Sequence, residues 1–206
     1  YKNIKIHAFE PVPNIFSVLN KNVQVSSNIN YKVYPIGISN SKKDLVFTYY
    51  PNSPALSTSN PEIWDDHKKK FFSAVKGNLL NFRKKKWWIK LIPFFLVPLI
   101  AKFLRFNSVK IKRPVIKLAD FIKENNISNI KLLKIDCEGE EINVLKGLNE
   151  ENFKTIDQII MEVFDISNSI NVAIEILKKN KFRKIKIEKE NGFEESNLVN
   201  IVASKT

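Results

Sequence analysis

Residues 132–147 read LLKIDCEGEEINVLKG. An apolar run, "KLLKID" over 131–136, has strand character, and a helix follows over 140–147 with Ile142, Val144 and Leu145 as its apolar positions. Gly139 lets the chain turn tightly between them, and Gly147 stops the helix. Four carboxylates gather where strand passes into helix: Asp136, Glu138, Glu140 and Glu141. In an open parallel sheet, ligands bind beyond the carboxyl ends of the strands. Asp136 and Glu138 precede the helix and stand as candidates for accepting a substrate proton or binding a hydroxyl. Glu140 and Glu141 have two readings, as members of that site or as acids that complement the helix dipole.

Outward from this unit, strands and helices alternate. "IKIHAF" (4–9) reads as a strand ended by Glu10-Pro11, because proline removes a donor and restricts its predecessor. A short helix over 14–22 carries Ile15, Phe16, Val18 and Leu19 inward. Strands follow over 31–39 and 44–50, the latter alternating Leu45, Phe47 and Tyr49. Residues 51–61 form a Ser/Pro/Asn loop, and 68–80 suit a basic helix. "VIKLADFIKENN" (115–126) reads as a strand end and a helix capped near Asn125-Asn126. "IDQIIMEVF" (156–164) has the continuous apolar character of a strand buried on both faces. A helix over 171–180 and strands over 182–188 and 198–204 close the chain. This order points to one α/β layered domain with a mostly parallel sheet. Three strands then deliver an acid to the same edge: Glu10, Asp136 and Glu162.

The length, 206 residues, fits one domain, and 44% hydrophobic content is enough for a core. The lone Cys137 excludes an intrachain disulfide and a multi-cysteine zinc site, and it fits a reducing cytoplasm. It has no partner base in sequence and reads as a small core residue. His7 reads as an ordinary strand residue. His67 beside Asp65 and Asp66 lacks support as a metal site, and although Asp136 with Glu138 are hard ligands suited to Mg²⁺, no metal is assigned. The opening "YKNIKIHAFEP" has no apolar leader core. It also starts with Tyr, as a processed form or a piece of a longer chain would.

The net charge of +13 is concentrated. Residues 67–117 hold 15 Lys and Arg and no acid, leaving the remainder nearly neutral. Within the inserted stretch 60–113, "RKKKWWIKLIPFFLVPLIAKFLRF" (83–106) joins cations to an apolar run broken by Pro93 and Pro98. A membrane-spanning helix needs ~20 apolar residues, so a span is not expected. Two compatible readings fit: a lid that packs Phe94, Phe95 and Leu96 on the core, or contact with an anionic membrane. Nucleic acid is a weaker fit, since the run is too apolar for a wet groove and no recognition motif accompanies it.

"HAFEPVPNIFSVLNKNV", "YPIGISN" and above all "LLKIDCEGEEINVLKG" resemble the FkbM family of S-adenosylmethionine-dependent methyltransferases. The carrying signatures are Phe9-Glu10-Pro11, Lys134 to Glu141 and Val144 to Gly147, with Cys137 where the family has Val and Glu140 where it has Ala. Glu162 in "IIMEVF" also matches. The likeness covers 5–58 and 115–164. It implies a Rossmann-like three-layer sandwich, here carrying the basic aromatic insertion, and O-methylation of a hydroxyl, often on a sugar. It also implies roles: Glu10 for the cofactor ribose, Pro11 and the Gly37-Ile38-Ser39 turn for the adenine, and Asp136 with Glu138 beside the methyl group and acceptor. The acceptor expected is a sugar of a polysaccharide or lipid-linked glycan, reached at the inner face of the membrane.

One departure stands out. The family begins with a strand and a Gly-x-Gly loop, and the glycines here (Gly37, Gly77, Gly139, Gly147, Gly192) offer no such pair. That strand would lie between those at 4–9 and 131–136. A natural protein longer at its N-terminus is therefore expected, rather than an inactive remnant. The rival reading is a degenerate, non-catalytic module that binds anionic membrane through its insert.

Overall fold

The computed structural model describes residues 4–25, 30–63, 86–166, 168–189 and 198–205, together with 72, 75–77, 79, 80 and 82. The basic helix expected over 68–80 falls largely outside these residues, as do Asp65, Asp66 and His67.

The first strand, β1 (Lys5–Phe9), stops at Glu10-Pro11, and α1 (Pro13–Val25) follows with proline as its first residue. Proline is tolerated there because that N–H has no intrahelical partner to lose. Val18, expected to face inward, is 57% exposed. The strand expected over 31–39 is divided. Pro35 cannot donate to a ladder, so β2 (Asn30–Tyr34) pairs in parallel with β1, while β3 (Gly37–Ser39) belongs to another sheet. Next come β4 (Lys43–Tyr49), 3-10 turns at Pro54–Leu56, Trp87–Leu91 and Phe94–Leu96, and α2 (Val97–Leu104). Then β5 (Val109–Lys117) leads into α3 (Leu118–Glu124), so the last part of the stretch taken as an insert is strand. The chain continues through β6 (Ile130–Ile135), α4 (Glu141–Lys146), α5 (Glu150–Thr155) and β7 (Ile156–Phe164). It ends with α6 (Ser169–Lys179), β8 (Lys184–Glu188) and β9 (Leu198–Ser204).

The α/β character holds, but the sheets are mixed rather than mostly parallel. Their orders are β1-β2, β3-β5-β4 and β6-β7-β9-β8. Parallel pairing joins β1 to β2, β3 to β5 and β6 to β7; β4 runs antiparallel to β5, and β9 antiparallel to both β7 and β8. The physical reason lies in the connections. Parallel neighbours need a crossover, usually a helix, whereas β8 and β9, consecutive in the chain, pair antiparallel.

The main core lies on the β6-β7-β9-β8 sheet. Ile156, Ile159, Met161, Leu145, Leu177, Ile201 and Ala203 are all fully buried, and α4 and α6 lean on the same sheet. Phe9 and Tyr34 from the β1-β2 pair pack against this core, each meeting Phe121 of α3 edge-on with ring centroids 4.7 and 4.9 Å apart. A second cluster of Tyr50, Ile63, Val75, Val97 and Ala101 sits against Phe164 and Ile166, just where β7 ends. It therefore lies beside the carboxyl edge of the main sheet. Arg113 of β5 ties the pieces together: its Nε donates to the Pro11 carbonyl and its terminal nitrogen to that of Pro35, both at 2.9 Å.

Candidate active site

β6 ends at Ile135, and the chain must reverse within five residues to start α4. It does so through two consecutive left-handed residues, Glu138 (φ 48°) and Gly139 (φ 106°). For glycine this conformation is free; for Glu138 it costs about 1–2 kcal/mol. The tight approach also requires glycine on grounds of space, since a Cβ at 139 would lie 2.4 Å from Ile63 Cδ1.

The turn is held from outside by residues 58–60. Thr58 Oγ1 donates to the Glu138 carbonyl. Asn60 Nδ2 donates to the Gly139 carbonyl at 2.9 Å, and the Asn60 N–H returns to Thr58 Oγ1. Thr58 is in turn fixed by a β-bridge to Thr48. In sequence this stretch reads as a plain loop. The only signal was its Ser/Thr/Asn content, which marks local turns as readily as a distant brace.

Glu140 and Glu141, buried at 6% and 3% exposure, take structural positions. Glu141 reaches back to accept from the Cys137 and Gly139 N–H groups at 3.0 and 2.9 Å. Glu140 accepts from Ser39 Oγ (2.9 Å), Ser59 Oγ (3.0 Å) and Asn143 Nδ2 (3.1 Å). These bonds join β3, the bracing loop and α4.

The two remaining acids face a different environment. Asp136 is exposed and its Oδ2 accepts from Lys134 Nζ at 2.8 Å. The β6-β7 register pairs Ile135 with Met161, which carries Glu162 to the level of Asp136. Glu138 lies inside this group, and its Oε2 is sealed from solvent with no hydrogen-bond partner. Burial first, then the charges of Asp136, Glu162 and Glu141, push the Glu138 carboxyl up to about 8. Lys134 is held above its ordinary value by its hydrogen bond to Asp136, with Glu162 adding to the effect. Burial pushes the Cys137 thiol up, and Cys137 packs on the main core as a small apolar residue. His7 bonds the Tyr34 hydroxyl through Nδ1 at 2.9 Å, with its pKa lowered by burial and by Lys5 and Lys32. Among the described residues no group of three or more His, Cys, Asp or Glu is arranged to hold a metal.

Asp136 and Glu138 thus come together with Lys134 and Glu162. Glu10 follows β1, which pairs with β2 rather than with the β6 sheet; burial raises its carboxyl and the Val12 N–H bond (2.7 Å) lowers it. Pro11 is half-buried and within packing reach of Gly37. The 37–39 segment is a strand, not a turn. Gly37 is pressed on Val115, Ile38 leans on the main core, and the fully buried Ser39 spends its hydroxyl on Glu140.

Comparison with known proteins follows the same outline. The model of the methyltransferase FkbM domain matches residues 2–193. "Methyltransferase 1" of Beauveria bassiana is 27% identical over 88% of this chain and 64% of its own length. "Methyltransferase sdnD" of Sordaria araneosa is 28% identical over 88% of this chain and 65% of its own. The "31-O-demethyl-FK506 methyltransferase FkbM" of Streptomyces tacrolimicus is 25% identical over the whole chain and 74% of its own length. The chain therefore spans under two thirds of the two fungal relatives. No solved structure matches it.

Proposed function

The chain belongs to the methyltransferase FkbM domain family, and from that premise we propose that it takes part in S-adenosylmethionine-dependent methylation of a hydroxyl oxygen. The single observation that carries this reading is the sealed, unpartnered Glu138 Oε2 among acids at the end of β6. An orphaned buried acceptor is costly unless function uses it. The acidic surroundings also suit a cationic ligand such as a sulfonium. When bound, the cofactor supplies a methyl group already activated toward displacement.

The remaining work falls to this chain. Lys134 holds Asp136, which orients the acceptor hydroxyl through a hydrogen bond. Glu138 takes the hydroxyl proton as the oxygen becomes nucleophilic; a carboxyl poised near neutral pH is matched to that task. Glu10, half-buried and oriented by the Val12 N–H, is assigned the ribose hydroxyls, with Pro11 beside it. Gly37, Ile38 and Ser39 support the adenine side from behind, with Ser39 acting through Glu140.

Oxygen as the acceptor is supported by the Streptomyces relative, whose name describes a methyltransferase of an O-demethyl compound. The acceptor we assign is a sugar hydroxyl of a polysaccharide, glycolipid or glycosylated metabolite, because a carboxylate such as that of Asp136 can accept two hydrogen bonds from a vicinal diol. The test is transfer of a labelled methyl group by the full-length protein to glycan and glycolipid fractions. Calorimetry with S-adenosylhomocysteine runs alongside. Binding with transfer that Glu138→Gln lowers ~100-fold or more is the expected result. A folded protein that binds neither cofactor nor product sinks the reading and leaves a non-catalytic module.

A further inference from the structure

Residues 87–106 turn outward a set of apolar side chains that the core does not use. Trp87, Leu91, Phe95, Leu99, Phe103 and Phe106 are between 56% and 79% exposed. The expected packing of Phe94 and Phe95 on the core is not what forms. Instead Val97 and Ala101 of α2 are buried in the second cluster, with Ile100 and Leu104 beside them. Leu99 and Phe103, one turn apart, project from the other side of α2. The helix is apolar on both faces, and internal packing accounts for one. Single exposed apolar residues need no explanation, but six within residues 87–106 point to an interaction surface.

The charge around the run identifies the occupant. No Asp or Glu occurs in residues 67–117, against 15 Lys and Arg. Lys86 and Lys102 are exposed within the strip, and Lys76 Nζ lies 5.4 Å over the Phe94 ring. Among the described residues no helix is long and apolar enough to cross a membrane. A second copy of the chain would set cations against cations across an isologous contact. A single-stranded nucleic acid would gain stacking from rings but nothing from Leu91 and Leu99. An aromatic and leucine strip rimmed by cations fits the boundary between headgroups and acyl chains.

We propose that residues 86–106 form a peripheral docking surface for an anionic lipid bilayer. The outward rings and leucines enter the interface, and Lys86 and Lys102 meet lipid phosphates. This proposal is independent of the methyl-transfer reading, and its failure would leave that reading intact.

The experiment is vesicle flotation of the whole protein, using phosphatidylcholine vesicles with and without phosphatidylglycerol. Flotation is expected only with the anionic vesicles, falling as salt rises. Phe95→Ser and Phe103→Ser each weaken partitioning roughly tenfold or more. Lys86→Gln and Lys102→Gln each weaken it about fivefold. Lys178→Gln with Lys179→Gln, at the end of α6, changes nothing. These positions are exposed, and a thermal melt confirms that each variant is folded. No flotation of the folded protein with anionic vesicles overturns the proposal, as does equal binding to neutral ones. So does velocity sedimentation showing a homo-oligomer that Phe95→Ser disperses without any vesicle binding, or preference for an oligonucleotide over vesicles.

Discussion

Glu138 combines a left-handed backbone, a sealed carboxyl oxygen and three acidic neighbours. Its position was legible in the sequence because everything that defines it is local: a strand end, an acid and a glycine within four residues. Its protonation was not, because burial and the charge of Glu162 come from the sheet. The consequence for stability has a definite sign. The folded carboxyl titrates near 8, against 4.5 when unfolded, so between these values the folded state holds the extra proton. Glu138 therefore favours folding least above about pH 8 and most below its unfolded value. Raising the pH from 5 to 9 is expected to lower stability through this group on the order of 3 kcal/mol, once the site relaxes around the charge. Urea melts of Glu138→Gln should lack that decline; an unchanged slope would show that Glu138 does not carry it. For catalysis the sign is opposite: transfer should rise with pH toward about 8 as Glu138 loses its proton, and the Gln variant should lose that limb. Cys137 belongs at this scale too. With its thiol pushed up by burial, it should alkylate far more slowly in the native protein than in urea.

At the scale of elements, α4 and its preceding turn show where local reading ends. Helix α4, its apolar positions and its stop at Gly147 follow from the residues themselves. The reason for that glycine does not. Gly147 has φ −77°, which any residue adopts, but a Cβ there would lie 2.4 Å from the Ser39 carbonyl oxygen. It is small so that α4 can press on β3, a contact between segments more than a hundred residues apart. Gly147→Ala should therefore destabilise by about 1–3 kcal/mol through overpacking, although alanine is the better helix former. Denaturant melts would decide between the two effects. The bracing stretch 58–60 is not legible in the sequence for the same cause: Thr58 and Asn60 act on Glu138 and Gly139, 80 and 79 positions away. Helix α5 was also missed, since its capping box uses Asn149 and Asn152 rather than the usual Ser/Thr and Glu pair. Thr58→Val keeps the shape at 58 but removes the hydroxyl. It should free the turn and cut methyl transfer more than it cuts stability, which kinetics and melts together would show.

Across the whole molecule, the alternation of strands and helices was readable, and so was the centrality of 156–164. Strand direction was not. Alternation alone suggests crossovers throughout, whereas β4 and the final hairpin return antiparallel. Pro35 shows how one residue reassigns a strand, sending β2 and β3 to different sheets. Burial is also uneven. The main sheet holds Ile156, Ile159 and Ile201 fully shielded, while no residue of β1 or β2 is buried. Native-state hydrogen exchange should find the slowest amides on β7 and β9, and earlier opening of the β1-β2 pair. Arg113 spans the exits of both weaker strands, so Arg113→Ala should hasten exchange in that pair and leave β7 unchanged.

Ile63 gives the second cluster a mechanical meaning. Its terminal methyl lies where a side chain on Gly139 would go, and it is packed in the same cluster as the inner face of α2. The bend presenting Glu138 thus rests on a small apolar pedestal whose far side is the outward greasy helix. A load on that helix has a packed route, through the second cluster and Ile63, to the bend that presents Glu138.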